Sequence, residues 1–177
     1  MQQPLAVHSS NEVQYYLLAT PCEVCGKGPS VLHAIAPGDK PQDVSVAKAT
    51  CQACGSGRLL AFVSKYEPTD PDSPCISPID EPSEVVDLDQ WLGLYYQLAD
   101  QADREDYPPR AHELNIRAAL CLAEALKFYD SEDELPPESA FFSETTLVAF
   151  RQHPQNFPRQ LLRDLQAKLP PRPDWPD

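Results

Sequence analysis

Cys22-Glu23-Val24-Cys25-Gly26 and Cys51-Gln52-Ala53-Cys54-Gly55 are two copies of one short pattern, and nothing else in the chain restricts its folding as much. Two residues between cysteines let one tight turn aim both sulfurs at a single point. The glycine that follows each pair permits the backbone curl such a turn needs. Four thiolates gathered this way form the donor set of a tetrahedral zinc ion, which favours sulfur and does no redox chemistry. The 25 residues between Cys25 and Cys51 are enough for a hairpin that carries the second turn round to face the first. Cys22, Cys25, Cys51 and Cys54 are therefore the expected ligands of one structural Zn2+. With every position taken by protein, such an ion has none left for a substrate.

The segments around the two turns read as short strands. Residues 13–19 (VQYYLLA) are β-branched and aromatic and run into the first turn. Residues 30–36 (SVLHAIA) and 44–50 (VSVAKAT) have strand character, with Pro37-Gly38-Asp39 opening the turn between them. Residues 59–66 (LLAFVSKY) leave the second turn as another strand. With CEVCG and CQACG as its two knuckles, the segment 12–66 resembles a zinc ribbon. The resemblance implies a small antiparallel β-module organised by zinc, and it implies no particular role. Zinc ribbons occur in polymerase subunits, ribosomal proteins and nucleases. Their knuckles usually carry Pro after the first Cys, where this chain has Glu23 and Gln52. A β-unit of this size buries too little apolar surface to fold comfortably alone, and structural zinc contributes about 10–16 kcal/mol to small metal-dependent modules. A redox dithiol would sit in front of a helix, which neither pair is expected to do.

Residues 67–83 (EPTDPDSPCISPIDEPS) are acidic and Pro-rich, and they read as a linker that separates domains or wraps over one. A helical half follows. Asp87 with Gln90 three residues later is a capping box. Leu88, Trp91, Leu92, Tyr95, Leu98, Ala99 and Ala102 then fall on one helical face, ending near Asp106. Pro109 suits the first turn of the next helix, whose stripe is Leu114, Ala118, Cys121, Leu122, Ala125, Phe128 and Tyr129. Ser143 is placed to cap a short helix to about Gln152. Asn156 is placed to cap a last one carrying Phe157, Leu161, Leu162, Leu165 and Leu169.

The fold expectation is α+β, an antiparallel β zinc ribbon followed by an all-α region of about four helices. The boundaries are 1–66 for the ribbon, 67–83 for the linker, 84–169 for the helical domain and 170–177 for a Pro-rich tail. WLGLYY and RAALCLAEALKFYD faintly resemble the helices of a tetratricopeptide unit. Their Trp, Leu, Gly and Tyr are not at that family's spacing and no second copy follows, which leaves an ordinary helical bundle. The plan as a whole is similar to that of some bacterial proteins that join a ribbon to helical repeats.

The net charge of −13 is uneven, with +1 in residues 1–66 and −14 in the rest. A strongly acidic half repels phosphate backbones and keeps a surface solvated. No apolar run reaches the length of a membrane span and no secretory leader is evident, so the expectation is a cytoplasmic protein with reduced cysteines. Cys121 lies on the helical stripe and reads as a small buried hydrophobe, Cys75 as an exposed linker thiol. His8, His33, His112 and His153 form no constellation. No nucleophile elbow, phosphate loop or dinucleotide fingerprint is present. The expectation is thus a non-enzymatic zinc-binding protein that acts as a protein-interaction or adaptor module, docking through ribbon edge strands or an acidic helical groove. The alternative is nucleic-acid binding through the ribbon, with Lys27, Lys40, Lys48, Arg58 and Lys65 on phosphates and Tyr15, Tyr16, Phe62 and Tyr66 stacking on bases.

Overall fold

The computed structural model describes residues 3–38, 43–66, 75–130 and 134–170. Asp39, Lys40, residues 67–74 of the expected linker, residues 131–133 and the tail 171–177 lie outside them. The architecture is α+β, and the chain divides into two compact units, Met1–Val86 and Asp87–Asp177. Among the described residues, no helix is long and apolar enough to cross a membrane.

The first unit is a four-stranded sheet with one helix. Its elements are β1 (Leu5–Val7), α1 (Ser10–Ala19), β2 (Ser30–Ala36), β3 (Ser45–Cys51) and β4 (Gly57–Ser64). The order across the sheet is β1-β4-β3-β2. The β2, β3 and β4 strands pair antiparallel, and β1 adds a parallel edge on β4. Residues 13–19, expected as a strand, belong instead to α1. Ser9 caps that helix by accepting from the Glu12 amide, and Val13 and Leu17, four apart, are both fully buried. Local β-propensity gives way here to a cap and a helical apolar spacing that let one side of the segment cover the sheet.

The register explains which face is covered. Ser45 pairs with Phe62 and Ala47 with Leu60, while Ile35 pairs with Ala47 and Leu5 with Phe62, so these side chains share a face. Val13 and Leu17 pack there against Val7, Ala47, Ala49 and Phe62, with Tyr16, Leu32 and Leu60 at the margins. The opposite face carries Val31, Val46, Leu59, Ala61 and Val63, none of them buried. Leu59 is 69% exposed. The pairing of β2 with β3 slips between Leu32 and Ala34, leaving His33 in a bulge.

Part of the expected linker is built into this unit. The Ser9 hydroxyl donates to the Ile76 carbonyl, the Asn11 amide nitrogen to the Cys75 carbonyl at 2.9 Å, and His8 Nδ1 meets Ser77 Oγ at 3.0 Å. Ile76 and Ser77 are buried as a result. Cys75 is accordingly half-buried, not exposed as its Pro-flanked setting suggests.

The second unit is helical, with α2 (Leu88–Asp103), α3 (Pro108–Leu126), α4 (Glu144–Gln152) and α5 (Arg159–Gln166), and two short 3-10 turns at Glu138–Ala140 and Pro154–Asn156. The Asp87–Gln90 capping box opens α2, and Ser143 with Thr146 opens α4. Trp91, Leu98 and Ala102 on α2 and Ala118, Cys121, Leu122 and Ala125 on α3 are buried along the expected stripes. Asn156 does not cap the last helix. It sits in the second 3-10 turn and Pro158 holds the cap position, because the residue before a proline is driven out of the helical region and the helix begins after it. Phe141, Phe150 and Phe157 form an aromatic cluster with centroids 4.5 to 5.7 Å apart. Tyr129 donates to the Phe157 carbonyl at 2.9 Å beside it.

Candidate metal centre

Each knuckle is closed by the same pair of backbone bonds. In the first, Gly26 N–H donates to the Cys22 carbonyl at 2.7 Å and Cys22 N–H to the Lys27 carbonyl at 3.4 Å. In the second, Gly55 N–H donates to the Cys51 carbonyl and Cys51 N–H to the Ser56 carbonyl, both at 2.9 Å. Gly26 and Gly55 lie at φ +65° and +73°, the left-handed region that L side chains rarely adopt. The two knuckles meet where Gln52 N–H donates to the Pro29 carbonyl at 3.0 Å. A Cβ on Gly28 would come within 3.0 Å of that of Ala53, so this approach also depends on glycine.

The result is an approximate two-fold arrangement that relates Cys22 to Cys51, Cys25 to Cys54 and Lys27 to Ser56. All four sulfurs lie within 4.8 Å of one another. Cys22 Sγ and Cys54 Sγ are 3.9 Å apart, and Cys25 Sγ and Cys51 Sγ are 3.7 Å apart. A regular tetrahedron with metal–sulfur bonds of 2.3 Å has sulfur–sulfur edges of about 3.8 Å, so the donor set fits one tetrahedral ion. No disulfide joins any of the six cysteines. Cys22 and Cys51 are buried, Cys25 is half-buried and Cys54 is exposed. The four sequence-predicted ligands are thus brought to one point, and among the described residues no histidine or carboxylate joins them.

The surroundings are polar and unequal. Ser56 Oγ lies 3.1 Å from Cys54 Sγ and 3.4 Å from Cys22 Sγ, one sulfur from each knuckle. That hydroxyl is the main cause drawing the Cys22 thiol down to about 6, helped by the Cys25 and Val24 backbone, and it also holds Cys54 below its ordinary value. Related by the two-fold, the Lys27 carbonyl accepts from Cys25 Sγ at 3.5 Å and from Cys51 Sγ at 3.7 Å. The Lys27 backbone pulls the Cys25 thiol down, but lost solvation and the three neighbouring thiols outweigh it and push Cys25 up to about 12.

Glu23, inside the first knuckle, forms an ion pair with Arg58 at 2.8 Å. The Arg58 guanidinium also lies over the Tyr16 ring at 5.7 Å, tying the first knuckle to β4 and α1. Residue spacing did not point to Ser56 or Arg58. The repeated knuckle pattern, aligned one position past each glycine, is the signal that finds Ser56.

The other candidates do not join the centre. His33 and His112 are exposed, as is His153 at the C-cap of α4. His8 is buried with Ser77. Cys121 is fully buried on α3, and burial pushes its thiol well above the ordinary range. Comparison with protein-family models, with characterised proteins and with solved structures returns no match for this chain.

Proposed function

We propose that this protein binds one structural zinc ion through Cys22, Cys25, Cys51 and Cys54, and works as a non-catalytic protein-interaction module. The observation that carries the metal reading is the spacing of the four sulfurs, 3.7 and 3.9 Å across the two-fold, at the edge length of a zinc tetrathiolate. When bound, the ion supplies a rigid cross-link between two turns whose own hydrogen bonds are few. An all-sulfur donor set selects zinc over harder ions and gives a substrate no open position. It also needs reduced cysteines, which suits a reducing compartment.

The adaptor reading is supported by the uncovered sheet face, where Leu59, Val46 and Val63 present apolar surface. The nucleic-acid alternative has less support. Arg58 is paired with Glu23 and Lys65 with Glu84, and Tyr15 and Phe62 are buried and unable to stack on bases. Elemental analysis of never-chelated protein tests the metal reading, with one zinc per chain expected and its loss on Cys22→Ser or Cys51→Ser. A chain without stoichiometric metal would overturn it. For the role, a partner captured by the wild type should be lost with Leu59→Glu. Salt-sensitive binding of single-stranded DNA or RNA at low ionic strength would instead favour the alternative.

A further inference from the structure

The two-fold of the knuckles is broken at one pair of positions. Lys27 and Ser56 follow the two knuckle glycines, and each offers its backbone carbonyl to the amide of the first cysteine in its own knuckle. Only Ser56 also brings a side-chain hydroxyl to the sulfurs, 3.1 Å from Cys54 and 3.4 Å from Cys22. On the Lys27 side, the group facing Cys25 and Cys51 is a carbonyl oxygen, which has no proton to give a thiolate. Cys54 is the exposed ligand of the four, so it is where a chelator or an electrophile first reaches the site.

From this asymmetry we infer that Ser56 is the positioning residue of the metal centre: its hydroxyl donates to the sulfurs of Cys54 and Cys22, holds the two knuckles together and protects the exposed ligand. The inference rests on the metal reading above. A hydroxyl proton shared between two ligands draws charge from sulfur and lowers its nucleophilicity, so ligand loss through Cys54 slows. It also joins the knuckles through a side chain, independently of the ion. Outer-shell hydrogen-bond partners of metal ligands are worth about 10–100-fold in metal affinity. Ser56, a neutral donor at a partly exposed sulfur, belongs at the lower end.

The test compares wild type, Ser56→Ala, Ser56→Thr and Lys27→Ser as full-length, zinc-loaded proteins. Zinc release to excess EDTA is followed with a chromogenic indicator, and the sulfur-to-metal charge-transfer bands are recorded after cobalt substitution. Ser56→Ala should keep one zinc per chain but release it on the order of tenfold faster. Its charge-transfer bands should move to lower energy, because sulfur without its donor is easier to oxidise. Ser56→Thr, which keeps the hydroxyl, should stay near wild type in both readouts. Lys27→Ser, which offers a second hydroxyl at the related position, should release zinc no faster than wild type. Equal release rates and superimposable cobalt spectra for wild type and Ser56→Ala would overturn the inference while leaving the metal reading intact. A Ser56→Ala chain that fails to hold zinc, rescued by Ser56→Thr, would support it. Zinc missing from the wild type itself would remove the metal reading and this inference with it.

Discussion

The Asp87 carboxylate accepts a hydrogen bond from the Thr146 hydroxyl at 3.0 Å, joining the first turn of α2 to the first turn of α4 across 59 residues of sequence. The same oxygen, Oδ2, accepts the Phe142 amide at 3.1 Å, and Oδ1 accepts the Gln90 amide at 2.9 Å. One side chain therefore caps one helix and anchors the entry to another, while being almost fully buried. An ordinary N-cap is worth about 1 kcal/mol, and stranding further buried donors adds about 1–3 kcal/mol. Asp87→Ala should destabilise the helical unit by about 3 kcal/mol, and Thr146→Val by about 1 kcal/mol, read from chemical denaturation of the full chain. A Thr146→Val chain as stable as the wild type would mean that the carboxylate acts only as a local cap.

Cys121 gives a second expectation. It is completely buried, and burial favours its neutral thiol. Cys121→Ser should cost about 2 kcal/mol by burying a hydroxyl in place of a thiol, and Cys121→Ala less. The native thiol should resist alkylation until the helical unit opens, which peptide mapping after a timed iodoacetamide pulse would establish.

The strap at 75–77 supplies a third. Ser9→Ala removes both the α1 cap and the donor to the Ile76 carbonyl, and should cost about 2 kcal/mol. Ser77→Ala removes the hydroxyl that meets His8 Nδ1. Hydrogen–deuterium exchange should quicken over residues 75–79 in both variants and stay unchanged in α2 and α3.

A pH dependence follows from Glu84. Its Lys65 partner, through a hydrogen bond and charge, holds the carboxyl below its ordinary value near 4.5. The folded state then binds fewer protons than the unfolded one. The contribution is fully present above pH 4.5 and fades as the pH falls through the lowered value. Both side chains are more than a third exposed, so the pair is worth only about 0.5 kcal/mol. Glu84→Gln should lower the thermal midpoint slightly at pH 7 and leave it unchanged at pH 3.

The cluster of four cysteines was legible because the two knuckles are local: two intervening residues and a following glycine fix each turn, and the hairpin fixes their meeting. The helix caps at Asp87 and Ser143 were legible for the same reason. The α1 helix was not, because Val13, Tyr15 and Tyr16 favour strands. Ser9 with Glu12 three residues on was the local sign of a helix start, and Val13 with Leu17 the matching spacing. Asn156 misled because a good capping residue was weighed without the proline two places later. The burial of Ile76 and Ser77 depends on bonds to residues more than 60 positions away, which no local pattern encodes.

Because β2 breaks stride at His33, an extended chain laid along that margin finds at most three residues in step before amides and carbonyls fall out of phase. Open-ended growth by sheet stacking is starved at its first contact, as crooked borders elsewhere resist fibril formation. At the β2 edge, then, backbone extension by another strand is disfavoured.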